Sequence, residues 1–409
     1  MLDIKDLYAT SLESHSQEPV VTSAYTGVFS LESDMMEVME TEQEMAKMEE
    51  SIEGLEEIAC GMESLMETIH VSLENGGLTA GEAVLANSAV SAYTNRLGVE
   101  SVVASTESFG GESERLEATK VSLEAMKETF AKIWMAIKNA VAKVMKMVAD
   151  FFAKIFGSTK KVEDRIMTLQ KMVSELKDDE APEMIKMTGA STLHMGGKVD
   201  PDSVMKGIDN TMKALSFGLD TIASAGASYY GALAMSLTKD EADLEEILKS
   251  YVESVAKASE VPACSGDKGF MADAEKGVVF GSIEGAAKVD EGMEVKPMSK
   301  ADLKKVLEML KEINSLIDSK KGYVEKIQKA RTDLLKNGDT FAKAADAGKL
   351  AAFWEEVKVK AALKKIQKDT VKPITSVTSH AFSVLRSALA LVEKTAKAYG
   401  PKKEEKEEK

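Results

Sequence analysis

The stretch FAKIWMAIKNAVAKVMKMVADFFAKIFG, residues 130–157, sets the fold class. Its apolar residues Phe130, Ile133, Trp134, Ile137, Val141, Val144, Met145, Val148, Phe151, Phe152, Ile155 and Phe156 are spaced by three and four, so they share one face of an α-helix. The opposite face carries Lys132, Lys138, Lys143, Lys146 and Lys154, and Asp150 is the one acid between Thr129 and Gly157. Lys160 and Lys161 extend the cluster, and Gly157 is expected to end the helix. Three roles fit such a segment: a core helix with its lysines in water, a helix lying in a membrane interface, or a face set along nucleic-acid phosphates.

Upstream, Met45, Met48, Ile52, Leu55, Ala59, Met62, Met66, Ile69 and Leu73 alternate steps of three and four, a heptad seam with Glu49, Glu50, Glu53, Glu56 and Glu57 between. Unbranched methionine packs adaptably, so this seam suits a helical hairpin, a bundle or self-association. Asn75-Gly76-Gly77 should end it, and Thr79 should cap a helix running to about Arg96. The Ser-, Gly- and Glu-rich stretch 98–114 reads as an exposed connector, with a helix restarting near Glu114.

Downstream, residues 161–177 have helical spacing, and the small-residue-rich stretch 202–237 permits close helix approach or a break near Gly226. Thr238 and Glu241 resemble a capping box. Six glycines and Val278-Val279-Phe280 between residues 261 and 297 predict a loop with a small β-hairpin. Ser299 with Asp302 caps a helix carrying Leu303, Val306, Leu307, Leu310, Ile313 and Ile317. Helices around 341–368 and 374–399 follow, then the charged tail 401–409, expected to be disordered. The fold is therefore mainly all-α: long amphipathic helices in a bundle or coiled coil, with one Gly-rich hairpin insert. Domains are expected at 1–124 (acidic leader), 125–260 (amphipathic helices), 261–298 (Gly-rich insert) and 299–400 (C-terminal helices).

Charge is divided unevenly. Residues 1–126 hold 25 acidic and 5 basic side chains, a net of −20, whereas residues 127–409 hold 43 acidic and 47 basic, a net of +4. The 409-residue chain has only 7 prolines, and an all-β fold is excluded because its turns would need far more punctuation. Cys60 and Cys264 form no paired motif, which fits a reduced compartment and neither a disulfide framework nor zinc. No secretory signal and no uninterrupted apolar span is visible.

Catalytic chemistry has no signature. His15, His70, His194 and His380 are scattered, and each is read as a surface or cap histidine. Gly196-Gly197-Lys198 is followed by Val199 rather than Ser or Thr, so it is not a phosphate loop. No catalytic residue, metal site, cofactor or small-molecule substrate is assigned, and the chain is read as a non-enzyme.

A tripeptide recurs: Ser11-Leu12-Glu13, Ser30-Leu31-Glu32, Ser72-Leu73-Glu74 and Ser122-Leu123-Glu124, with looser copies Ser51-Ile52-Glu53 and Ser105-Thr106-Glu107. Ser-x-Glu resembles the site cut by the prohead proteases of giant tailed phages. The stretch from Ser105-Thr106-Glu107-Ser108-Phe109-Gly110-Gly111 through Arg115-Leu116-Glu117-Ala118-Thr119 and the Lys- and Phe-rich helix to Gly157 resembles phage internal head proteins. Glu74-Asn75-Gly76-Gly77-Leu78-Thr79 adds to the likeness.

That resemblance implies a virion protein of the head interior, assembled in the host cytoplasm. Its implied partners are the prohead protease, capsid or core proteins, and packaged DNA with which it is retained or ejected. It implies cleavage after Glu13, Glu32, Glu74, Glu107 or Glu124. Loss of residues 1–124 would leave a product of net +4. The rival expectations are a membrane-interacting protein and a cytoplasmic helical adaptor or scaffold.

Overall fold

The computed structural model describes residues 31–98, 109, 111–176, 184–187, 189–236, 256–273, 277–290, 292–320 and 371–399, with isolated positions at 249, 253 and between 322 and 333. The connector around 99–108, the Thr238–Glu241 box, the helix expected at 341–368 and the tail 401–409 lie outside the described residues. The chain is mainly α. It divides into two compact units: of the described residues, the first holds 43–148, and the second holds 31–42 and those from 149 onward.

The first unit is built on α1 (Leu31–Glu74), α2 (Ala80–Leu97) and α3 (Glu112–Ser174), α1 and α3 also contributing to the second unit. Burial of the heptad seam drives α1: Met45, Met48, Ile52, Leu55, Ala59, Met62 and Ile69 are buried, while Met66 and Leu73 are half-buried. Ile58 joins them, so the buried stripe is wider than two positions per heptad. α1 ends at Asn75-Gly76-Gly77. A side chain at Gly77 is excluded twice, because φ is +86° and a Cβ there would stand 3.0 Å from the Arg115 carbonyl oxygen and the Leu116 Cα. Thr79 then closes a capping box: its backbone N–H donates to Glu82 Oε2 at 2.8 Å, and its hydroxyl accepts from the Glu82 N–H at 3.3 Å. The Thr79 N–H, joined by the Thr79 hydroxyl donating to the same carboxylate at 2.9 Å, holds the Glu82 carboxyl below its usual range. Gly98, with φ of 73°, terminates α2. α2 runs antiparallel to α1, since Gly61 lies under the Tyr93 ring and Glu57 pairs with Arg96.

The helix expected to stop at Gly157 does not stop. α3 continues to Ser174 and absorbs the separate helix expected at 161–177. Glycine inside a helix costs about 1 kcal/mol relative to alanine. Val162, Ile166, Leu169 and Val173 keep the buried face going beyond it, and that burial outweighs the local penalty. α3 also runs unbroken through the boundary expected at 124, because Ala118, Leu123, Met126 and Ile133 are all buried along one continuous face.

The second unit is arranged around α8 (Lys372–Ala398). Its neighbours are β1 (Ile185–Lys186), the single turn α4 (Ala190–Leu193), α5 (Pro201–Ser216), β3 (Gly277–Ser282) and α7 (Lys300–Ser319). Asp200 caps α5 through the Ser203 N–H at 2.8 Å, with Pro201 at the first helical position. No break falls at Gly226, which lies inside α6 (Ala223–Ser236); that helix is entered through a π-helical stretch, Phe217–Ile222. There Gly218 lets the Val377 side chain approach closely, and the extra residue of the turn directs Asp220 to Lys320 at 2.5 Å.

The hairpin is where glycine and the β-branched run place it. β2 (Lys268–Asp273) pairs antiparallel with β3, Phe270 opposite Phe280. A two-residue pairing of β1 with β4 (Glu294–Val295), far apart in sequence, was not expected. Ser299 caps α7 as its sequence requires, and Leu303, Val306, Leu307, Leu310, Ile313 and Ile317 are fully buried.

Candidate functional site

The basic face belongs to α3. At about 100° per residue, Lys143, Lys146, Lys154 and Lys161 fall within about 40° of Lys132 on the helix circumference, and Lys138 lies about 120° away. Lys132, Lys143 and Lys154 follow one another at intervals of about 16 Å along the axis. Asp150 shares their face and is exposed.

Each cation has its own electrostatic setting. Lys132 is exposed and pairs with Glu128 at 2.8 Å, one turn before it, and its ammonium draws the Glu128 carboxyl below the usual range. Lys143 and Lys146 are exposed and form no ion pair among the described residues. Lys154 is half-buried and donates to Glu37 Oε1 at 2.8 Å, a partner 117 positions away in sequence. Lys160 and Lys161 are exposed; the side chains of Lys138 and Trp134 lie outside the described ones.

The other side of α3 is spoken for. Ile133, Ile137, Val141, Val144, Val148, Phe151, Phe152 and Ile155 are all buried within the chain. Phe151 meets Phe152 edge to face at 5.0 Å, and Phe152 stacks with Phe156 at 5.8 Å. No described helix is long and apolar enough to cross a membrane.

The Ser-x-Glu positions differ in access. Glu74 is exposed in the last turn of α1, beside the Gly76-Gly77 turn, and Ser72 and Leu73 are half-buried. Glu124 is exposed, but its neighbours are not: Ser122 is fully buried with its hydroxyl donating to the Ala118 carbonyl at 2.8 Å, and Leu123 and Met126 are buried too. Glu32 lies in the first turn of α1, its side chain outside the described ones, and Glu13 and Glu107 lie outside the described residues.

His380 departs from the surface-or-cap reading, whereas His194 does cap α4, its backbone N–H donating to the Ala190 carbonyl, but is buried rather than at the surface. His194 is buried with its Nδ1 3.6 Å from Asp267, whose carboxylate also accepts the Gly196 N–H at 2.7 Å and the Ala287 N–H at 3.1 Å. This makes Asp267 a brace for the turn at 194–198. His380 is buried inside α8 against the Phe280 ring at 5.5 Å, and its Nε2 has no hydrogen-bond partner among the described residues. An isolated sequence shows only that these residues are few, whereas the groups that meet them, Asp267 at His194 and Phe280 at His380, come from another part of the chain. His70 is exposed, and His15 lies outside the described residues.

Cys264 is buried and its thiol is pushed up to about 12, so it is chemically quiet. The Cys60 side chain lies outside the described ones. Among the described residues no group of three His, Cys, Asp or Glu side chains is placed to hold a metal ion.

A family model described as phiKZ-like phage internal head proteins matches residues 29–394. Neither the curated proteins nor the solved structures contain a match to this chain.

Proposed function

The chain belongs to the phiKZ-like phage internal head proteins, structural proteins of the phage head interior, and from that premise we propose that it is packed in the prohead, trimmed from its N-terminus, and kept beside the genome with its α3 lysines turned towards phosphate. One observation carries this reading: the 25 acidic and 5 basic side chains of residues 1–126 contrast with a slight basic excess in everything after them. A net negative surface repels DNA, and a lysine row attracts it by releasing counterions.

Access orders the candidate cuts. Glu74 closes a helix beside a two-glycine turn, so a few residues need unwind for a peptidase to grip the chain there. Glu124 offers no such handle, because cutting after it first requires melting α3 at a buried serine. Residues 1–74 carry 18 acidic and 2 basic side chains, so cleavage after Glu74 removes a charge of −16 and leaves a product of net zero. The cut segment stays docked through its buried methionine seam until further cuts shorten it. Self-association through that seam would likewise have to undock it first.

The partners proposed are the prohead protease, neighbouring capsid or core proteins, and packaged DNA, the product being retained with the DNA or ejected with it. A membrane-surface role has less support, since the apolar face of α3 is committed to the chain's own core. The test is N-terminal sequencing of the protein from purified virions. A terminus at Asn75 supports the reading, and an intact Met1 overturns the trimming.

A further inference from the structure

We propose that Glu37 is an intrachain stand-in for phosphate: its carboxylate occupies Lys154 in the untrimmed chain and holds down the affinity of the α3 lysine row for DNA. The inference rests on the reading of that row given above and adds its regulation.

Two contacts and one buried side chain in the second unit fix the segment that presents Glu37. Its carboxylate takes the Lys154 ammonium at 2.8 Å, the adjacent Val38 is 1% exposed, and Glu42 accepts the Ser376 hydroxyl at 2.8 Å. The segment is therefore seated on its neighbours. A nearer partner was available: Asp150 precedes Lys154 by one turn, the favourable order for a helical ion pair, yet forms none among the described residues. Lys154 instead reaches an acid from the region richest in acids, where α1 carries 14 acidic residues against the single Lys47.

A carboxylate and a phosphate oxygen compete for the same ammonium in the same way, as charged acceptors of its N–H groups. While Glu37 is seated, Lys154 offers DNA no net charge, and Lys143 and Lys146 carry the attraction. Any event that withdraws residues 37–42, N-terminal trimming included, returns Lys154 to the row. The pair is partly exposed, so one such contact shifts affinity modestly.

The experiment titrates full-length protein against a random-sequence duplex DNA over a salt series. Glu37→Gln should bind about two- to five-fold tighter than the parent at low salt. Its log-affinity against log-salt slope should steepen by about one. Glu37→Gln combined with Lys154→Gln should lose that gain. Lys143→Gln with Lys146→Gln should weaken binding and flatten the slope by about two. If this lysine pair weakens binding while Glu37→Gln matches the parent, the stand-in idea is overturned and the DNA-facing row survives. If the lysine pair leaves binding unchanged, or if no form binds even at low salt, both fall together.

Discussion

α1 and α8 are both long amphipathic helices, yet they are held in opposite ways. α1, at 44 residues, buries one methionine-rich stripe and leaves Glu40, Glu44, Glu50, Glu57, Glu67 and Glu74 in water. α8, at 27 residues, is buried on nearly every side, with Val377, Ala381, Val384, Ala388 and Val392 fully enclosed and even Thr378 and Ser379 covered. A helix that is apolar on one stripe is a cover; one buried all round is a centre. The difference teaches where the chain can tolerate loss: a cover undocks at the expense of its own stripe, whereas removing the centre takes away a contact surface from every neighbour.

The sharpest test of that contrast is Phe382→Ala in α8. Phe382 is 1% exposed, and its truncation should cost about 3–5 kcal/mol in chemical denaturation. A cost below about 1 kcal/mol would make α8 no more central than α1.

Next comes acid. Burial holds the His380 pKa down at about 3 against an ordinary 6.5, aided by the Lys268 charge nearby, and the Ser265 backbone opposes this only in part. The folded state therefore keeps the ring neutral while the unfolded chain binds a proton, so stability should fall as pH drops from about 6.5 towards 3. Urea midpoints at pH 7 and 4.5 should separate in the parent and draw closer together in His380→Leu. The loss should appear in the second unit before the first.

In the α1 region the expected effects are smaller. Gly77→Ala forces a side chain into a left-handed conformation and against the α3 backbone, and should lower the melting point by the equivalent of about 1–2 kcal/mol. Met48→Leu, at a position 3% exposed, should cost less than about 1.5 kcal/mol, since a thioether seam accommodates an isosteric change. If Met48→Leu matched Phe382→Ala, the distinction between cover and centre would be lost.

The same contrast explains what could be read from the sequence. Features set by neighbours in sequence were legible: the Thr79 cap, the end of α2 near Arg96, the Ser299 cap, the α1 seam and the hairpin around Val278-Val279-Phe280. Features set by distant partners were not. Gly157 looked like a stop because glycine is a poor helix former, and only the buried face beyond it carries α3 through. Asp220 gives no hint of Lys320, and neither histidine announces its distant neighbour, Asp267 for His194 and Phe280 for His380. At the candidate site, the lysine spacing and the pairing of Glu128 with Lys132 four residues on follow from helical geometry. The reach of Glu37 to Lys154 does not, because nothing local encodes a contact across 117 positions.

The placement of α8 has a consequence for biosynthesis. During translation, every described element that wraps this helix leaves the ribosome before the helix does, and Glu42 must wait for Ser376, 334 positions later. The second unit is thus denied the head start that nascent chains with local contacts enjoy, and its assembly should be slow and post-translational. Prematurely terminated chains would lack the piece that locks the rest, and would present their apolar surfaces to chaperones and host proteases instead of entering a particle.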